Sequence, residues 1–201
     1  IVLAASSSQA LDSVINRARA QNIKVITVDT RVTTESDGFI GTDNAKAGEQ
    51  AADRLAALLQ KKGVTSGQIL IESSVAGVQS LVDRDTGFQN ELKTRFPGLT
   101  VSAHRYNNND TPTALSQVND VLSANSNLVG IYADNNVSAD GVAQSLQENK
   151  AQNRIVAVGF DSDPQEISAL KNGSLNALVV QNPYYFGYQG VVAAAMSAQG
   201  R

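Results

Sequence analysis

The chain has 201 residues, a formal net charge of −3, 42% hydrophobic residues and no cysteine. That length and apolar content suffice for one large domain or two small ones with a real core. The charge balance argues against a nucleic-acid surface, the missing cysteine excludes disulfides and thiolate chemistry, and no apolar run reaches membrane-spanning length.

In chain order, a beat of strand and helix repeats. The chain opens on the apolar run "IVLAA", which reads as a buried parallel strand at 1–5, and Ser6 with Gln9 offers a capping box for a helix behind it. A natural N-terminus seldom starts inside a core strand, so we expect the chain to be cut from a longer protein. Leu11, Val14, Ile15 and Ala18 mark the face of that first helix. Strands follow at 23–28 and 38–41, and a helix with Ala51, Leu55, Leu58 and Leu59 on one face. Further strands read at 68–72, 99–103, 128–133, 154–160 and 175–181. Thr111-Pro112 and Asp163-Pro164 each place a capping side chain before a proline at the first helical position. Ala139, Val142, Ala143 and Leu146 mark another helix, and Gly173 after "LKN" is its successor's C-terminal stop. Strands alternating with helices imply an α/β fold of βαβ units, with parallel sheets covered on both faces.

In such sheets ligands bind outside the carboxyl ends of the strands. Those ends read Asp29 in "ITVDTR", Asp43 and Asn44 in "GFIGTDN", and Arg84 in the "DRDTGF" that follows "ILIESS". They continue with Asp134, Asn135 and Asn136 in "GIYADNN", Asp161 in "VAVGFDSDP" and Gln181 in "ALVVQNP". Carboxylate, amide and guanidinium groups offer two donors or acceptors in one plane, which suits vicinal hydroxyls. The set points to a polyhydroxylated ligand. Each residue also has a plainer reading. Asp43, Asn44, Asn136 and Asp163 read as helix caps, and Arg84, between Asp83 and Asp85, as a solvated surface charge. His104, the only histidine, has no metal-ligand companions and reads as structural. Tyr184, Tyr185, Phe186 and Tyr188 have helical spacing, for which core packing is the default.

No G-x-S-x-G, Walker loop, G-x-G-x-x-G or metal-spaced His cluster occurs, so no catalytic site, metal or cofactor is expected. Several carboxylates converge at strand ends, but nothing local separates an acid from a base. The enzyme reading is the weaker one.

The ordered segments "VITVDTRV", "FIGTDNAKAGEQAADRLA", "DRDTGF", "YADNNVSADG", "VAVGFDSDP" and "ALVVQNPYYFGYQGV" resemble the ribose- and galactose-type periplasmic sugar-binding proteins of ABC transporters (the type I, cluster B solute-binding proteins). The resemblance spans essentially the whole chain. It implies two Rossmann-like lobes joined by a hinge, with a monosaccharide or related polyol clamped between them and delivered to a membrane permease. It implies a partial first lobe in residues 1–42 and 182–201 and a second lobe in 43–181. Asp29, Arg84, Asn135, Asp161 and Gln181 match polar ligand contacts of the family, and Asn44 matches one at the first hinge crossing. A periplasmic or extracellular location follows, with or without a lipid anchor, and no nucleic-acid partner. The same fold also serves as the effector domain of lactose-repressor-type regulators and in extracellular sensors, which is the alternative reading.

Two departures speak against ribose itself. Thr30 stands where ribose binders carry Arg, and Arg31, one step on, should point to the opposite side. Asn109 stands where a stacking Phe is found in relatives. In the family, strand–helix units precede and strands follow the segment seen here. A half-sheet with open edges invites pairing, so the missing elements are expected from a longer chain or another segment.

Overall fold

The structure, a computed structural model, describes residues 1–200. It forms two compact units: Ile1–Asp43, Gly77–Ser80 and Gln181–Arg201 make unit 1, and Asn44–Ala76 with Leu81–Val180 make unit 2.

Unit 1 holds a parallel sheet in the order β1 (Val2–Ala4), β2 (Ile26–Val28), β3 (Gly38–Ile40). Its helices are α1 (Asp12–Ala20) and α7 (Pro183–Ala198). α7 approaches the sheet at Gly190, where a Cβ would come within 2.9 Å of both Val2 and Val28. Only Phe186 and Gly190 of α7 are buried.

Unit 2 is a parallel sheet ordered β5 (Leu99–Tyr106), β4 (Gly67–Ser73), β6 (Leu128–Ala133), β7 (Val156–Phe160), β8 (Ala177–Val179). Its helices are α2 (Asn44–Lys61), α3 (Gln79–Arg95, entering from unit 1), α4 (Thr111–Ala124), α5 (Asn136–Glu148) and α6 (Pro164–Asn172). Side chains alternate across the strands, so the sheet feeds two cores. Ile69, Ile71 and Tyr132 pack with Leu55 and Leu59 of α2 and Phe88 and Leu92 of α3. Leu70 and Ile131 pack with Val118 of α4 and Val142 and Leu146 of α5. Burial on both faces explains why these strands read as near-continuous apolar runs.

All eight expected strands form, several shorter than their apolar runs. β2 starts at Ile26, because Asn22 is left-handed (φ 60°) and Ile23 is exposed.

Two helix starts differ from expectation. The box between Ser6 and Gln9 does not form: Ser7 Oγ accepts from Gln9 and Ala10 in a local turn, and α1 begins only after the Leu11 carbonyl accepts from Val14 and Ile15. α4 is capped by Asp110, which accepts from the Thr113 N–H at 2.9 Å, so Thr111 is already helical. Proline is tolerated throughout the first turn, and a carboxylate one residue earlier is the stronger acceptor. Asp163 does form a full capping box with Glu166, and Gly173 ends α6 in the left-handed conformation. Tyr184, Tyr185 and Tyr188 are exposed rather than packed in a core, since the buried stripe of α7 runs through Phe186 and Gly190.

Candidate functional site

In unit 2 the chain runs from β4 to β5 on one side of it and then crosses back, through α4, to β6 on the other, so the direction of winding reverses between β4 and β6. The crevice at the carboxyl ends of β4 and β6 is therefore the topological switch point, where open α/β sheets bind ligands. The polar residues of unit 2 concentrate there.

Arg84 is the hub. It is 3% exposed, so it is no solvated surface charge. Its guanidinium carbon lies 3.6 Å from the centroid of the Phe160 ring, which ends β7. Nε donates to Asn44 Oδ1 at 2.8 Å and Nη1 to the Asp134 carbonyl at 2.8 Å. Stacking fixes the plane of the guanidinium and the two hydrogen bonds fix its rotation within that plane. The start of α2, the end of β6 and the end of β7 are thus tied to one side chain. The approach of α2 to α3 is set by two glycines: a Cβ on Gly48 would lie 2.0 Å from the Arg84 carbonyl, and one on Gly87 would lie 2.1 Å from that of Ala45. Asn44 is one turn from Gly48, so this backbone contact brings its amide to Arg84.

The cap of α5 is Asn135 rather than the expected Asn136. Asn135 caps α5, accepting from the Ser138 N–H at 3.0 Å while its Nδ2 donates to Asn109 Oδ1 at 3.2 Å. Asn136, expected to be the cap, instead donates to Asp163 Oδ2 at 3.2 Å. The helix simply begins one residue earlier than its sequence pattern shows. Asp161 adopts a left-handed backbone (φ 83°) and its N–H donates to the Val179 carbonyl at 2.9 Å.

Below these side chains sits a polar cluster of which the sequence reading had picked out only Asp134. Glu72, Ser73, Asn107, Asp134 and Ser138 are fully buried. Ser73 Oγ donates to Asp134 Oδ2. Asn107 Nδ2 donates to Glu72 Oε1 at 3.0 Å and to Ser138 Oγ at 2.8 Å. Asp85, also buried, places Oδ2 3.0 Å from His104 Nε2, and His104 stacks on Tyr106. Burial raises the Glu72 carboxyl to about 7, against the Asn107 hydrogen bond, which lowers it. Burial also raises Asp85, and it raises Asp134 well above the usual carboxylate range, with the charge of Asp85 adding to the effect. The available signal was the run of polar residues closing β4, "ESS", directly after three apolar residues.

In unit 1, Asp29 repeats the geometry of Asp161. It is left-handed (φ 66°) and its N–H donates to the Ile40 carbonyl at 2.9 Å. Non-glycine residues in this conformation carry strain and gather at ligand-binding positions. Thr30 is buried and donates to Asp29 Oδ2 at 3.3 Å, so the residue replacing the arginine of ribose binders orients the acid instead. Arg31 is exposed with its guanidinium 4.0 Å from the Phe39 ring centroid. Gln181 Oε1 accepts from Thr42 Oγ1 at 2.8 Å.

Asn44, Arg84, Asn135 and Asp161 thus belong to one neighbourhood of unit 2, and Asp29 and Gln181 to unit 1. No group of His, Cys, Asp and Glu among the described residues is arranged to hold a metal. A groove of about 640 Å³ along α5 and α6, lined by Asp140, Gln144, Gln147 and Gln165, involves none of these residues.

Two parallel α/β units with polar side chains at their strand ends have the fold of the two-lobed binding-protein class. The whole chain, residues 1–201, matches the periplasmic binding protein domain family, and the protein belongs to it. It is 28% identical over 203 residues to the ribose import binding protein RbsB of Escherichia coli, covering 97% of this chain and 64% of that protein. The chain therefore spans somewhat less than two thirds of that relative's length. Among solved structures it resembles a carbohydrate transporter solute binding protein from Agrobacterium radiobacter in complex with D-arabinose: 35% identity, TM-score 0.94, all of this chain and 68% of the other. An ABC transporter solute binding protein from Agrobacterium vitis with bound D-fucose gives 33% identity and a TM-score of 0.92, covering all of this chain and 69% of the other. These relatives are import and solute binding proteins, two of them with a sugar bound.

Proposed function

We propose that the protein is the sugar receptor of an ABC importer, binding a monosaccharide or related polyol outside the cytoplasmic membrane and delivering it to a permease. The observation that carries this reading is the fixed, stacked guanidinium of Arg84 at the switch point, among Asn44, Asn135 and Asp161. A planar donor held this rigidly suits a pair of adjacent hydroxyls and needs no chemistry beyond binding. In this reading Asp29 and Gln181 are the candidate polar contacts that unit 1 offers. The sugars of the solved relatives support a monosaccharide, and Thr30 and Asn109 favour one other than ribose. Import binding proteins among the relatives favour transport over the regulator reading.

The test is isothermal titration with D-arabinose, D-fucose, D-ribose, D-allose and ribitol. At least one should bind with micromolar or tighter affinity. Arg84→Ala should weaken that binding by about 10- to 100-fold, the worth of about one hydrogen bond to a charged group. Absence of binding to every sugar and polyol overturns the proposal.

A further inference from the structure

One buried amide stands behind both hydrogen bonds that hold the half-exposed amide of Asn135. Asn107 directly follows β5 and is fully buried. Its N–H donates to the Ser73 carbonyl at 3.0 Å, and that of Asn108 to the Ser74 carbonyl at 2.8 Å, so the pairing of β5 with β4 continues past Tyr106. Its side chain is fully engaged. Nδ2 donates to Glu72 Oε1 at 3.0 Å and to Ser138 Oγ at 2.8 Å, and Oδ1 accepts from the Asp110 N–H at 3.3 Å. A buried amide with both hydrogens and its oxygen bonded holds its partners in one geometry.

Two routes lead from it to Asn135. The bond to Ser138 ties the first turn of α5 to Glu72 of β4 through Asn107, and the Ser138 N–H is the donor that Asn135 Oδ1 accepts at 3.0 Å. The bond from Asp110 closes the loop over Asn108 and Asn109, both left-handed (φ 55° and 60°). Two successive non-glycine residues in that conformation persist only where the surroundings hold them. So held, Asn109 Oδ1 accepts from Asn135 Nδ2 at 3.2 Å. The cap thus turns Asn135 Oδ1 toward the helix and leaves Nδ2 on the exposed side, beside Asn109.

We infer that Asn107 is a positioning residue for Asn135, fixing its amide so that it meets the sugar nitrogen first, as a donor to a hydroxyl oxygen. Asn107 acts only through Ser138 and Asn109. The inference rests on the reading of Asn135 as a sugar contact.

A double-mutant cycle on the full chain tests it, read by titration with D-arabinose and D-fucose. Asn107→Ala should weaken binding about fivefold and Asn135→Ala about tenfold. Adding Asn107→Ala to Asn135→Ala should change affinity by less than about twofold, because the route is already gone. Losses that multiply overturn the inference, and so does an Asn107→Ala variant that binds like the wild type. Ser138→Ala keeps the capping N–H and removes only the oxygen that Asn107 grips, so it carries the same cycle should Asn107→Ala not fold. Side-chain amide spectra with ¹⁵N need no sugar. The Asn135 amide pair, assigned by its loss in Asn135→Ala, should shift in Asn107→Ala and in Ser138→Ala, and an unmoved pair also overturns the inference. If the wild-type chain binds no sugar, the function proposed above fails, and the amide pair alone decides whether Asn107 fixes Asn135.

Discussion

Replacing Gly48 with alanine should damage both stability and ligand affinity, although alanine is the better helix former. The added Cβ would stand 2.0 Å from the Arg84 carbonyl oxygen and 2.8 Å from the Phe88 nitrogen, where ordinary contact begins at 3.4 Å. Both obstacles are backbone, so no side chain can turn aside, and α2 and α3 must part by about 1.4 Å (3.4 less 2.0). That displacement exceeds what the 2.8 Å bond between Arg84 Nε and Asn44 Oδ1 can stretch. Overpacking costs about 1–3 kcal/mol, the lost charge-assisted bond about 1.5–3, and the helix propensity returns about 1, for a net loss of about 1.5–5 kcal/mol. In a chain of this size that lowers the melting temperature by roughly 3–20 °C. Urea denaturation and calorimetry measure the stability, and sugar titration the affinity. Gly187→Ala is the matched control: a Cβ there meets nothing within 4 Å, so it should be neutral or slightly stabilising. If Gly48→Ala melts and binds like the wild type, backbone contact between α2 and α3 does not place Asn44 against Arg84.

Asp161 separates binding from strain. Asp161→Gly should relieve about 1 kcal/mol of left-handed strain while weakening sugar binding at least about tenfold, whereas Asp161→Ala should lose both stability and affinity; equal melting of the two variants would refute this. Stability should decline as pH rises from mildly acidic through neutral. Burial raises Glu166 from 4.5 to about 8 and Glu72 to about 7, so between about 4.5 and those values the folded protein holds protons that the unfolded chain has released. More protons bound when folded means that stability falls as pH rises through this window. Glu166→Gln, which keeps the acceptor for the Asp163 N–H, should flatten the slope and stabilise the protein above pH 8 by on the order of 2 kcal/mol. A urea midpoint that rises from pH 5 to pH 8.5 in the wild type would count against it. Asp110→Ala should cost about 1 kcal/mol as a lost cap and Thr111→Val much less, with equal losses pointing to the wrong cap.

How far sequence could reach depended on what each residue reports. The βαβ rhythm is carried by apolar periodicity, which survives in any one chain, and so the strands, their parallel order and the family resemblance were legible. Caps were harder. Asx and Ser residues cluster at every βα turn here, and choosing among Asp110 and Thr111, or Asn135 and Asn136, needs the actual backbone angles. Arg84 was legible as a candidate but not as a buried one, because Phe160 lies 76 residues away and no local pattern announces a ring beneath a guanidinium. Asp134 was visible at its strand end yet was passed over for Asn135. Its burial comes from Ser73 and Asp85, which meet it only after β4, β6 and α3 are assembled. Thr30 first counted only as a departure, and the structure shows what it does: it holds Asp29.

Asp29 and Asp161 occupy the same step of two different sheets. Val28 is in register with Ile40 and Phe160 with Val179, and in each case the next residue turns left-handed and donates its N–H to that same partner carbonyl. A coincidence of register, handedness and residue type at both addresses is what a duplicated ancestral half would leave behind. It also suggests a unit of exchange for altering which sugar is recognised. The segments β2–β3 and β7–β8 would each be transplanted as a cassette that carries its own backbone kink, so that a new side chain arrives already aimed.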